Sequence, residues 1–211
     1  NFSSPIQSAT VADLDDDLIL SGVGGANGNA IANGGGIFRS VQTYDFRNDV
    51  HVILPSLTEP LVVGQGYEVY LASTASSFNG GTVDFVGVPN SGNSFPTARI
   101  DQGWNLLGNP FHSFIEYDSI KTSVWIPDNY YIFNTDAGSY SFFDGPGKPP
   151  IAPSQGFWIF KIPGGNKGVD FKESGKVSST SSAFLRKKRN NRFELHINND
   201  KNSFTHKAEF N

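Results

Sequence analysis

Asp13, Asp15, Asp16 and Asp17 crowd into the stretch "VADLDDDL", and they are the first residues along the chain whose types could do chemistry. Calcium takes several carboxylate and carbonyl oxygens at flexible geometry, which makes Asp13, Asp15 and Asp17 a candidate loop for it. Counted as an EF-hand from Asp13, however, position six is Leu18 where the turn needs Gly, and position twelve is Gly24 where a bidentate Glu belongs. The better reading is a solvated acidic loop or helix start, because Asp is favoured near a helix N-terminus. His51, His112, His196 and His206 are scattered without metal-ligand spacing. The chain has no Cys, hence no thiol nucleophile and no disulfide framework. Serines are plentiful, yet none sits in a G-x-S-x-G elbow. Paired carboxylates for glycoside cleavage have no recognisable pattern. The segment is therefore expected to be non-catalytic and to need no cofactor.

A second chemistry is stacking. In "GWNLLGNPFHS" (103–113), Trp104 offers a flat apolar ring and Asn105 an amide that bonds hydroxyls, the pair a sugar-binding platform uses. Tyr130, Tyr131, Tyr140 and Phe142 are further candidates for ligand-facing rings. The structural alternative packs Trp104 into the core and lets Asn109 and Pro110 set a turn. A second stretch decides between them. "NFSSPIQSATVADL" at the chain start aligns with the first when Pro5 is set against Pro110, and it carries Ser4 where the other has Asn109. The turn is kept while its neighbour changes, which favours the structural reading.

Two more matches follow in the same order. "VVGQGYEVYL" (62–71) pairs with "APSQGFWIFK" (152–161), setting Gln65-Gly66 on Gln155-Gly156, and "GGTVDF" (80–85) pairs with "NKGVDF" (166–171). Between them, "VQTYDFRND" (41–49) faces "YYIFNTDAG" (130–138). The separations shrink from 105 through 90 to 86 residues, as insertions in the first copy require, and the glycine-rich run Gly22–Gly36 is one such insertion. Gly66 and Gly156 belong where backbone must bend or approach closely, and Gln65 and Gln155 can bond a neighbouring loop. Shared residues of this kind shape a backbone, and a binding site belongs in what differs between the copies.

The elements that carry these residues read as β. The 211 residues include 23 Gly and 12 Pro with only 17% charged residues, a composition suited to short strands joined by tight turns. "GYEVYLAS" alternates with period two, "GFWIFKI" is apolar on both faces and so covered on both, and "YYIFNTDAGSYSFF" reads as a hairpin with Gly138 at positive φ. The only helix expected is short, over Val11–Leu18. After "VSSTSS" comes a basic run, Arg186–Arg192, then "RFELHIN" with Phe193, Leu195 and Ile197 facing one way. The basic run fits a solvated strand edge, where charge discourages edge pairing, better than an anionic glycan site. Net charge is −4, so no general field favours nucleic acid, and no apolar run approaches the roughly 20 residues of a spanning helix.

The motif set "GWNLLGNPFHS", "YIFN", "GSY", "APSQGFWI" and "SSAFLRKKR" resembles a repeat module of large secreted, cell-surface proteins of the Bacteroidetes, which travel by type IX secretion. The resemblance covers most of the chain and implies an extracellular, β-rich segment without catalytic residues. The resulting expectation is an all-β chain of two tandem, repeated β-sandwich-like units, 1–100 and 101–178, then a linker and the start of a further β segment at 179–211. It begins inside a motif and is expected to be part of a longer protein. Its expected role is structural or adhesive, with a carbohydrate-binding module or an appendage of a secreted enzyme as alternatives. Its expected partners are other domains of the same polypeptide, surface or secretion-system proteins, or glycans, without nucleic acid or membrane insertion.

Overall fold

A computed structural model describes residues 1–18, 20, 32–33, 36–37, 40–70, 83–92, 100, 102–134, 137–164, 168–178, 193–198 and 203–208. The chain is mostly β, in several largely antiparallel sheets. β1 (Ala32–Asn33) and β2 (Gly36–Ile37) pair with each other at the end of the glycine-rich run. The first sheet orders β4 (Val50–Ile53), β3 (Val41–Asp45) and β5 (Glu68–Val69). A second joins β6 (Val83–Val86) to β13 (Phe193–Asn198) in parallel, with β14 (Ser203–Ala208) beyond it. The largest sheet runs β10 (Ser139–Phe143), β9 (Tyr130–Asn134), β11 (Gly156–Lys161), β7 (Gly103–Gly108). β8 (Phe114–Ile115) pairs with β12 (Lys176–Val177).

Pairings recur at the sequence separations. Phe2 bridges Tyr67 as Leu107 pairs with Phe157, and Gln42 pairs with Glu68 as Tyr131 does with Trp158. Helix α1 (Ala12–Asp15) and helix α2 (Tyr117–Ile120) are single turns in the same relation. The helix expected over Val11–Leu18 is thus shorter than its acidic run. Two hydrophobic cores result. One gathers Phe2, Ile6, Val41, Tyr67, Val83 and Phe85; the other holds Leu107, Phe111, Tyr130, Phe157, Val169 and Phe171 in the corresponding positions.

The two cores meet along a seam of backbone. Gly66 N–H donates to Leu106 O at 3.2 Å and Gly156 N–H to Asn1 O at 3.1 Å. Ser3 N–H donates to Ser154 O at 2.8 Å and Gly108 N–H to Gly64 O at 3.0 Å. Gly64 and Ser154 both hold positive φ, +79° and +55°, the left-handed turn that aims each carbonyl across the seam. A Cβ on Gly66 would lie 2.8 Å from the Leu106 side chain, and one on Gly156 would lie 2.7 Å from Phe2 N. The expectation that these glycines mark close backbone approach therefore holds, and the approach is between the two halves. The Gly138 turn has φ +61° as the hairpin requires.

The aspartate cluster is committed locally. Asp13 Oδ2 accepts the Thr10 N–H at 2.8 Å, Asp15 is buried on α1, and Asp17 Oδ2 accepts the Asp84 N–H at 2.7 Å. Asp13 and Asp17 thus hold the backbone before α1 and at β6, and no group of three metal-ligating side chains is assembled among the described residues. Burial, with the charges of Asp84 and Asp16, pushes the Asp17 carboxyl up to about 6. The folded chain then binds this proton more tightly than the unfolded one, whose carboxyl titrates near 3.8. The stability it contributes is complete below that lower value and is lost as pH rises through about 6. Asp118 acts in the opposite sense at lower pH: against the effect of burial, Lys121 and Lys148 hold it below its ordinary value. Asp17→Asn is therefore expected to raise the melting temperature relative to wild type at pH 7.5, and that advantage to shrink towards pH 5. An advantage of the variant that is the same at both pH values would show that Asp17 does not titrate in this interval.

Candidate functional site

Alternation along the four-stranded sheet sorts its aromatic residues. Tyr130, Ile132, Phe157 and Ile159 turn inward to the second core, while Tyr131, Phe133, Trp158 and Phe160 take the other face. Cross-strand pairing adds Trp104 opposite Phe160, Tyr140 opposite Phe133 and Phe142 opposite Tyr131 to that outer face. Tyr130 is therefore a core residue, its hydroxyl bonded to Pro149 O, and not a ligand-facing ring. Trp104 departs from expectation in the other direction. It is 37% exposed and stands on the outer face instead of in the core.

The first sheet meets this face. Tyr44 on β3, His51 on β4 and Glu68 on β5 share one side of their sheet, because Tyr44 is cross-strand to His51 and Gln42 to Glu68. Together with Trp104, Tyr131, Tyr140 and Trp158 they line a cleft of about 440 Å³. The cleft walls are rings set at steep angles. Tyr44 and Trp158 cross at 72° with centroids 4.8 Å apart, Trp104 and Tyr131 at 71° and 5.2 Å, Trp104 and Trp158 at 86° and 6.2 Å, and Tyr140 and Trp158 at 90° and 6.4 Å.

One carboxylate is set among these rings. Glu68 is 7% exposed. Its Oε2 accepts from Gln42 Nε2 at 2.8 Å and Tyr70 Oη at 3.3 Å and lies 3.2 Å from His51 Nδ1, while Oε1 accepts from Tyr140 Oη at 3.1 Å. Burial, then the Glu68 charge, pushes the Tyr140 phenol up to about 12, so it stays protonated and donating at neutral pH. Burial, then Asp49, does the same to Tyr44. Desolvation also lowers the pKa of the buried Asn1 amino group, against the pull of Glu68. The amide of Gln42 and the phenols of Tyr70 and Tyr140 thus orient the carboxylate.

The remaining motif residues serve the backbone. Asn105 is buried, with Nδ2 donating to Gly103 O at 2.8 Å. Asn109 Nδ2 donates to Ser113 O, Ile151 O and Ala152 O, and its Oδ1 accepts from Phe111 N–H. Pro5 O and Pro110 O both accept from Asn90, through its backbone and side-chain amides respectively. Gln65 Nε2 donates to Thr43 Oγ1 at 2.6 Å, and Gln155 Nε2 to Asn1 O at 3.1 Å and Gly156 O at 2.7 Å. The basic run Arg186–Arg192 lies outside the described residues.

Tyr44, His51 and Glu68 carried no motif of their own in the sequence. The signal was present in the alignment of the halves, where Glu68 falls opposite Trp158 and His51 opposite Tyr140. Comparison with protein-family models, curated proteins and solved structures found no match.

Proposed function

We propose that the chain is a non-catalytic adhesive segment of a larger secreted or cell-surface protein, in which one β-sandwich-like unit occurs twice and the seam between the copies is the recognition site. The recurrence of bridges, single-turn helices and buried positions at the same separations supports the duplication and the boundaries 1–100 and 101–178, with 179–211 contributing the β13–β14 hairpin to the sheet of β6. The observation that carries the functional reading is the convergence of side chains from both halves on one open cleft whose rings and carboxylate occupy non-matching positions. Rings set around a single carboxylate support recognition as the role of the cleft. The resemblance to Bacteroidetes surface modules supports an extracellular location and type IX secretion of the parent protein, and no described helix is long and apolar enough to cross a membrane.

Carbohydrate binding is the second reading. Exposed Tyr140, Phe142, Phe133 and Phe160 continue the outer face beyond the cleft, and sugars stack on such rings. Both readings are tested by adhesion of the chain to glycan arrays and to cell-surface preparations, with Trp104→Ala beside wild type. Trp104 is exposed enough that its loss should leave the melting temperature within a few degrees while reducing adhesion at least ten-fold. Equal adhesion by the variant would remove the cleft from the reading, and no adhesion by wild type would remove the reading itself.

A further inference from the structure

We infer that the cleft takes an organic cation, a small molecule bearing an alkylated ammonium head, held between the aromatic walls and Glu68. The inference rests on the recognition role proposed for the cleft and specifies its ligand class. Three features of the lining lead to it. First, Glu68 is the one carboxylate of the lining, and the one basic side chain beside it there is His51. Tyr44, Trp104, Tyr131, Tyr140 and Trp158 surround Glu68, and no Lys or Arg lines the cleft or pairs with Glu68 among the described residues. Aromatic rings carry negative potential on their faces, so rings and carboxylate favour the same sign of guest.

Second, the rings meet at corners. The five ring pairs that join Tyr44, Trp104, Tyr131, Tyr140, His51 and Trp158 through Trp158 or Trp104 cross at 71–90°. A compact rounded cation is contacted from several sides by rings at right angles. Third, the walls are apolar, which penalises a strongly hydrated ion. A methylated ammonium sheds water more readily than a free lysine amine, and desolvated cation–ring contacts are the strong ones. The volume, about 440 Å³, accommodates such a head with further atoms of the same molecule.

Glu68 supplies the discrimination. Its three donors are the neutral amide of Gln42 and two phenols, and the His51 imidazole lies 3.2 Å away, so its orientation is fixed before any ligand arrives. The corresponding position in the second half is Trp158, so the charge exists once, at the seam, and the cation site needs both halves.

The test is titration of the 211-residue chain with choline and with its neutral isostere 3,3-dimethylbutanol, followed by calorimetry and by tryptophan fluorescence from Trp104 and Trp158. Choline is expected to bind at least ten-fold more tightly than the isostere, and Glu68→Gln, which keeps shape and amide hydrogen bonding, to erase that preference. Because Glu68→Gln could disturb the fold, Trp104→Phe is the second variant; it should weaken choline several-fold at an unchanged melting temperature. Equal binding of choline and isostere would overturn the cation assignment and leave an apolar hole. A chain that ignores choline yet adheres to glycans through Trp104 would overturn the assignment while the recognition reading stood. Failure of choline together with failure of adhesion would remove both.

Discussion

Replacing Gly108 with alanine is expected to destabilise the chain by about 3 kcal/mol, the upper part of the usual cost of overpacking a filled interior. The added Cβ would fall onto the side chain of Ser3 and lie 2.9 Å from Gln65 O. Both obstacles are fixed from behind. Ser3 is fully buried with its N–H on Ser154 O, and Gln65 is held by its own turn hydrogen bond to Val62 O. Ser3 is also the residue that aligns with Gly108, since both precede their proline by two residues. The two equivalent positions come together across the seam, and there is room for one side chain between them. That relation yields a sharper expectation than the loss itself. Ser3→Gly should cost little alone, because the Ser3 hydroxyl makes no hydrogen bond, and in the Gly108→Ala background it should restore more than half of the lost stability. Chemical denaturation of the two single variants and the double variant closes the cycle. Additive losses would mean that the two positions do not share the space.

The same pair shows how far the sequence could be read. Matching Pro5 to Pro110 and Gln65 to Gln155 located the close approaches, because glycine beside a bulky alternating strand has few other physical reasons to be there. What it could not locate was the partner in each approach. Gly66 reaches Leu106 and Gly156 reaches Asn1, so each half completes the other, while the sequence pattern alone suggested two units side by side. Local spacing constrains which face a residue takes but carries no information on which distant strand will cover it.

The cleft was half legible for the same reason. Tyr131, Tyr140 and Trp104 could be suspected from ring content, but Tyr130 was drawn in with Tyr131 although neighbours in a strand point to opposite faces. Trp104 was assigned inward because the aligned stretch keeps the proline turn while Asn109 gives way to Ser4, and the wall that covers its exposed face in part comes from the other half. Glu68 lay within an alternating strand as the outward polar residue. It is buried only because the seam folds over it, an event of tertiary structure that period-two patterning does not encode.

Asn109 makes the second large effect. Its side chain is fully buried and bridges four backbone groups, with Nδ2 at 2.8 Å from Ser113 O, 3.2 Å from Ile151 O and 2.9 Å from Ala152 O, and Oδ1 at 3.0 Å from Phe111 N. Asn109→Ala strands a buried N–H and removes the donor from the carbonyls, for a cost of about 3 kcal/mol. Ser4, its counterpart, accepts from Ile6 N–H at 3.3 Å and donates to Ile6 O at 3.2 Å, but reaches no carbonyl beyond its own turn. Asn109→Ser should accordingly recover part of the loss by capping Phe111, and no more. Asn109→Asp separates the two roles. The acid keeps an oxygen for the Phe111 N–H but aims the other at three carbonyl oxygens, so repulsion replaces three hydrogen bonds in a site that excludes water. Its loss at pH 7 should exceed that of Asn109→Ala despite the nearly unchanged shape, and should shrink as the solution is acidified and the carboxyl regains a proton to donate. Melting curves of the three variants at pH 7 and pH 5 check the order. An Asp variant as stable as the Ser variant at pH 7 would show that the carbonyl cluster around Asn109 is open to water.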